Sequence, residues 1–267
     1  MGFGSPSHCA RAWRDIADAL RFFTRLRVGE PKPSAPLDID RIAWAAPIAG
    51  VAVGLIGALI LALTALLGLP LLLRAALATV ALVATTGALH EDGLADVADG
   101  FGGGATRAGK LEIMRDSRVG AYGAIAIALA LILRVGALAA ALDGGFWRAA
   151  LSLTLVAALS RAAALTPLAL LQPARADGAG VAAGRLDSNA LAATWGWAFV
   201  IAVALGLVTL GVAHALLAAL MSGAGGLLMV ALARRAIGGQ TGDVAGAAQQ
   251  CGEIAAWCGL LIGHTSA

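Results

Sequence analysis

From Asn189 to Ala233 the chain carries no Asp, Glu, Lys or Arg. A helix of about 20 residues crosses the hydrocarbon core of a bilayer. This run is therefore too long for one crossing and reads as two spans, 190–210 and 213–233, joined by a turn near Gly211–His214. Further apolar stretches lie at 43–68, 70–89, 120–142, 147–171 and 244–263. The expectation is an all-α fold, a polytopic transmembrane helical bundle of about 6–7 spans. The seventh stretch, with Gln249, Gln250 and Glu253, is either a packed span or a partly embedded helix. Only 13% of the residues are charged, against about 25% in soluble proteins. That excludes an ordinary soluble domain, a disordered chain and a nucleic-acid-binding surface, so the lipid bilayer is an expected partner and nucleic acid is not. Cys9, Cys251 and Cys258 form no CxxC pair and suggest neither a disulfide framework nor a zinc site.

Residues 11–27 place Trp13, Ile16, Leu20 and Phe23 at helical spacing, with arginines and aspartates largely opposite. This predicts an N-terminal amphipathic helix at the membrane interface. Pro31, Pro33 and Pro36 mark a loop. Two regions follow: an N-terminal segment 1–42 and a transmembrane catalytic domain 43–267. With the N-terminus inside, fifteen of the nineteen basic residues, Lys32 among them, fall in inside segments, and only Arg74 and Arg148 fall in outside turns. The asymmetry orients the chain N-in and gathers its polar, glycine-rich segments on the cytoplasmic face. Small residues throughout the spans permit close helix packing, including in a homo-oligomer.

Because charge is costly in a bilayer, its location points to function. Six of the sixteen acids lie between Glu91 and Asp116. Asp92, Asp96 and Asp99 stand at i, i+4 and i+7, within about a 60° arc of a helix at roughly 100° per residue. Carboxylates so close repel one another unless something positive sits among them. Oxygen-only ligands suit Mg²⁺ or Mn²⁺. The alternative is a solvated acidic loop near the surface. Downstream, Lys110, Arg115 and Arg118 alternate with Glu112 and Asp116, a mixture that suits phosphate oxygens bridged by a metal. Gly238–Asp243 is a polar turn whose adjacent glycines let backbone amides approach an anion, and Asp243 is placed to complete the metal site. Arg134 and Arg161 fall inside spans. Arg161 calls for a phosphate or acidic partner; Arg134 snorkels or pairs within the bundle and receives no catalytic role.

The run His90-x-Asp92-Gly-Leu-Ala-Asp96-x-x-Asp99-Gly, followed by Leu111-Glu-Ile-Met-Arg-Asp-Ser-Arg118-x-Gly120, resembles the cobalamin synthase family. Residues 19–28, Ser160-Arg161, and Gly238-Gly-Gln-Thr-Gly-Asp243 with Glu253 are also similar to family segments. Glu91 stands where that family usually has an apolar residue, and Tyr122 where a histidine is common. The resemblance implies a Mg²⁺-dependent enzyme of the bacterial cytoplasmic (inner) membrane. It would join adenosylcobinamide-GDP to α-ribazole or its 5′-phosphate and release GMP. On that reading Asp92, Asp96, Asp99 and Asp243 hold Mg²⁺. Lys110, Arg115, Ser117, Arg118, Arg161, Gly239 and Thr241 contact substrate. Asp116 or Asp99 takes the hydroxyl proton, and His90 acts as a base or supports one. Two other classes fit parts of the pattern: a CDP-alcohol phosphotransferase acting on lipids, whose aspartate motif is loosely similar, and an ion-coupled transporter.

Overall fold

A computed structural model describes residues 8–29, 38–175 and 185–263. Pro31, Lys32, Pro33 and Pro36 lie outside the described residues. The helices are α1 (His8–Phe23), α2 (Ile39–Ile42), α3 (Ala46–Leu66), α4 (Leu71–Thr86), α5 (Leu89–Gly103) and α6 (Arg107–Ile113), then α7 (Ala121–Asp143), α8 (Phe146–Leu170), α9 (Ser188–Leu205), α10 (Val212–Ala236) and α11 (Gly242–Leu261). Among the described residues, five stretches are long and apolar enough to cross a membrane: Ile39–Leu66, Ala121–Asp143, Phe146–Leu170, Ser188–Leu210 and Val212–Ala236. The pair α4 and α5, bent by 88° at its break, meets the same test only when the two are taken together, as a broken span or a re-entrant loop. The chain is the helical bundle that its apolar runs predict.

The hub is α8, almost wholly buried, yet it is the least apolar of the five long stretches. The more apolar α7 and α9 bury only a minor part of their surface. Burial in a bilayer is not driven by apolar side chains leaving water; the interior can take polar residues while lipid takes the apolar ones. Gly50 and Gly54 let α3 lie against α8: a Cβ on Gly50 would stand 2.3 Å from the Ala157 carbonyl oxygen, and one on Gly54 2.4 Å from the Thr154 Cα. The uncharged run turns as expected. A π-helical turn, Gly206–Leu210, ends at Gly211 with φ 80°, and α10 returns.

The acidic segment after the second span is a helix, α5, as the i, i+4, i+7 spacing predicts, and not the alternative acidic loop. Its direction is set by Gly87 (φ 66°) and Ala88 (φ 58°), the one non-glycine residue with positive φ among those described. Their N–H groups donate to the carbonyls of Ala84 and Val83, which closes α4 in a left-handed cap and turns the chain into α5. The N-terminal amphipathic helix forms as α1. Its Leu20 and Phe23 are buried in a core cluster with Ile42, Ala46 and Leu165, and Ile16 packs against it. The helix is also tied down on its polar side, where Arg41 pairs with Asp15 and Asp18. The apolar stripe thus faces the bundle, leaving Trp13 as the most exposed of its four residues. The seventh apolar stretch becomes α11, packed between α8, α10 and α5; its polar residues Gln249, Gln250 and Glu253 are buried.

Candidate active site

Helix α5 crosses the first turns of α11 at a contact that only glycine permits. A Cβ on Gly93 would stand 2.8 Å from the Asp243 carbonyl oxygen and 3.2 Å from the Gly246 Cα. This brings Asp92 and Asp96 of α5 to Asp243 of α11. The i, i+4, i+7 stripe holds, but its burial is graded: Asp92 is exposed, Asp96 intermediate and Asp99 buried. Asp96 feels the negative charges of Asp243, Asp92 and Asp99, and the positive charge of Arg175.

These aspartates have different surroundings. Asp99 accepts backbone N–H bonds from Gly120 (2.7 Å) and Gly123 (2.9 Å), so it caps the start of α7 with both oxygens. Asp243 accepts from the Thr241 hydroxyl at 3.2 Å, and Thr241 Oγ1 also accepts the Val244 N–H as the N-cap of α11. The side chains of Asp92 and Asp96 make no hydrogen bond among the described residues. Among the described residues, no three of His, Cys, Asp or Glu stand close enough together to hold a metal ion. The donor set nonetheless fits a hard divalent cation in kind. It is all carboxylate oxygen, gathered at a glycine crossing, and crowded with like charge. Asp92, Asp96 and Asp243 are the residues that would close on it.

The basic residues divide similarly. Lys110 Nζ donates to the carbonyls of Phe101 (2.9 Å) and Gly104 (2.7 Å), closing the C-terminal end of α5 as cations do there. Arg118 forks onto Asp116, with Nη2 2.5 Å from Oδ2. That hydrogen-bonded guanidinium holds the Asp116 carboxyl down at about 2, which makes it a weak proton acceptor at neutral pH. Arg115 and Ser117 are exposed on the same segment. Gly239 is buried in a clasp rather than open to an anion. The Gln240 N–H donates to the Gln172 carbonyl and the Ala174 N–H to the Gln240 carbonyl, both at 2.8 Å. A Cβ on Gly239 would meet the Gln172 oxygen at 2.5 Å.

His90 and Arg161 lie elsewhere, in a second polar region deeper between α4, α5, α7, α8 and α11. There Arg134 Nη1 donates to Glu91 Oε1 at 2.6 Å, and its Nε stands 2.8 Å from Glu253 Oε1. Gln249 Nε2 donates to Glu253 (2.7 Å) and Ser160 (3.0 Å); Gln250 Nε2 donates to Glu91 (3.2 Å). Arg161 donates to the Ala157 carbonyl and the Ser160 hydroxyl and feels the charges of Glu253 and Glu91. Its hydrogen-bond partners are thus a backbone carbonyl and a hydroxyl, and Arg134 adds like charge beside the two acids. His90 is buried and stacks on Phe23, centroids 6.2 Å apart. Two Glu and two Arg balance each other inside the bundle, the condition under which buried charge persists.

Sequence reasoning missed Arg175. It lies on the loop after α8, its side chain 15% exposed, with Nη2 3.8 Å from Asp243 Oδ2 and 3.1 Å from the Leu111 carbonyl it donates to. The sequence marked it only as one of the inside basic residues. It also gave no role to Glu91, whose pairing with Arg134, 43 positions away, depends on the tertiary fold.

Against known proteins, a family model described as cobalamin-5-phosphate synthase matches residues 15–261. A protein of Azorhizobium caulinodans is 50% identical over 256 residues, covering 95% of this chain and 97% of that one. Relatives from Bradyrhizobium diazoefficiens (46% over 242 residues, 90% of each chain) and Xanthobacter autotrophicus (46% over 257 residues, 94% of this chain and 97% of that one) are similar. All three carry the name adenosylcobinamide-GDP ribazoletransferase. No solved structure matches.

Proposed function

The chain belongs to the cobalamin-5-phosphate synthase family, and from that membership we infer its reaction. It transfers the cobinamide-phosphate moiety of adenosylcobinamide-GDP to α-ribazole or its 5′-phosphate, and releases GMP. It is an integral membrane protein, by its apolar helices. Its bacterial relatives support the inner membrane, and the count of basic residues supports a site that opens to the cytoplasm. The lipid-phosphotransferase and transporter readings are not favoured, since the matches run over most of the chain to ribazoletransferases.

In this reaction a ribose hydroxyl attacks the cobinamide-side phosphorus of a pyrophosphate. A new P–O bond forms, the bond to the GMP phosphate oxygen breaks, and the hydroxyl proton leaves. The observation that carries the site is the convergence of Asp92, Asp96 and Asp243 at the Gly93 crossing. Bound there, Mg²⁺ supplies charge neutralisation of the pyrophosphate and of the departing GMP. Asp99, by accepting the Gly120 and Gly123 N–H groups, fixes the start of α7 beside α5. Lys110 fixes the far end of α5 through two carbonyls. Arg115, Ser117 and Arg118 lie exposed on the adjacent segment, where a large polar substrate has access.

The test is direct. Purified chain in detergent, given Mg²⁺, adenosylcobinamide-GDP and α-ribazole, releases GMP in step with corrinoid product. Chelation stops the release and added Mg²⁺ restores it. Turnover that persists in chelator removes the metal assignment; CMP release from a CDP-alcohol instead of GMP removes the reaction.

A further inference from the structure

The cation whose charge reaches Asp96 is Arg175, and its bonding is incomplete. Its Nη2 donates to the Leu111 carbonyl at 3.1 Å. Its approach to Asp243, at 3.8 Å, is beyond hydrogen-bond length, so that pair is held by charge alone. Its Nε is buried with no hydrogen-bond partner. A guanidinium offers five N–H donors in a fixed fork. Other cations around the site are already committed: Lys110 to two carbonyls, Arg118 to Asp116, and Arg107 to the Ala174 carbonyl at 3.2 Å. The loop that carries Arg175 is fixed by the paired hydrogen bonds between residues 172–174 and Gln240, so the guanidinium is held against the mouth of the acid site.

We propose that Arg175 is a substrate-binding residue that pairs with Asp243 only while the site is empty, and turns its fork to the pyrophosphate oxygens of the bound substrate. The inference rests on the reading of Asp92, Asp96 and Asp243 as a divalent-cation site. In the empty site Arg175 offsets the charge of Asp243. Once the carboxylates hold a cation, Asp243 no longer needs the guanidinium, and two parallel N–H bonds to phosphate oxygens are stronger than a long ion pair. Arg175 thus competes with the cation for Asp243 in the absence of substrate and cooperates with it in the presence of a nucleoside diphosphate.

This gives a test with two opposite signs. Mn²⁺ binding to the full-length chain in detergent is followed by electron paramagnetic resonance, and GDP binding in the presence of Mn²⁺ by calorimetry. Arg175→Ala binds Mn²⁺ about tenfold more tightly than the wild type without nucleotide, and GDP about tenfold or more weakly. Arg175→Lys, which keeps the charge and loses the fork, binds Mn²⁺ as the wild type does and GDP more weakly. A misfolded variant loses both affinities and cannot give this pattern. Mn²⁺ affinity unchanged or reduced in a folded Arg175→Ala, or GDP affinity unchanged, overturns the role of Arg175 alone. Failure of the wild type to bind Mn²⁺ overturns the cation site and the exchange with it.

Discussion

Helix α5 turns its acids towards two different surroundings, and the two treat charge differently. At its start, Glu91 is buried and paired with Arg134, which also meets Glu253, and the amides of Gln249 and Gln250 donate to these acids. Asp92, the next residue, and Asp96, one turn beyond it, crowd towards Asp243, with the long pair to Arg175 as their nearest cationic relief. The first region has its counter-charges built in, as a membrane interior demands. The second is left negative, which raises the free energy of the empty site and makes a cationic ligand favourable. Charge balanced within the chain holds the bundle together; charge left unbalanced marks where a ligand belongs.

The largest effect expected is on the balanced region. Arg134→Met leaves Glu91 and Glu253 buried without their cation and should destabilise the fold by about 3–5 kcal/mol, read as a shift in thermal or denaturant unfolding. Glu91→Leu in the same chain should recover most of that loss, since apolar replacement of a buried pair is often neutral. A double variant as unstable as Arg134→Met alone would show that the pair is not a unit. A smaller effect is expected at the far end of α5. Lys110→Met releases the carbonyls of Phe101 and Gly104 and should cost about 1 kcal/mol, with faster hydrogen exchange confined to the C-terminal turns of α5. Exchange that is unchanged there would remove Lys110 from the support of the helix.

The smallest effect is at the exposed Asp116–Arg118 pair. The carboxyl is lowered from 3.8 to about 2, so any stability it lends is complete above pH 3.8 and fades as pH falls through 2. Arg118→Gln should move its titration up towards 3.8, seen by NMR, and leave the pH dependence of GMP release above pH 5 unchanged. A displaced profile would make Asp116 the proton acceptor.

The spans were legible because an apolar run of membrane length has few other solutions; the Asn189–Ala233 run shows this best, since its length alone required the turn that the structure forms at Gly211. The 88° bend was not legible. It depends on two successive left-handed residues, and Ala88 carries no local signal for that conformation. The acid stripe of α5 was readable from its spacing, and so was the need of the in-span Arg161 for a phosphate or acidic partner and of Arg134 to snorkel or pair. Which acids they meet was not, because Glu91 and Glu253 sit on different helices. Asp99 and Lys110 looked like ligands for the same reason that they make good caps: a charged group that meets several backbone N–H or carbonyl groups uses the chemistry that would otherwise meet a cation or a phosphate.

The contrast between the two regions is tested most directly by GMP release from two folded variants at matched concentration, with Mg²⁺, adenosylcobinamide-GDP and α-ribazole. Asp96→Asn, which alters only the unbalanced region, should lose activity by at least about a hundredfold while unfolding at the wild-type temperature. Glu91→Leu with Arg134→Met, which replaces a pair in the balanced region, should stay within about threefold of the wild type. The reverse pattern, with Asp96→Asn turning over normally and the double variant inactive though folded, would contradict the assignment and move the chemistry to the buried cluster.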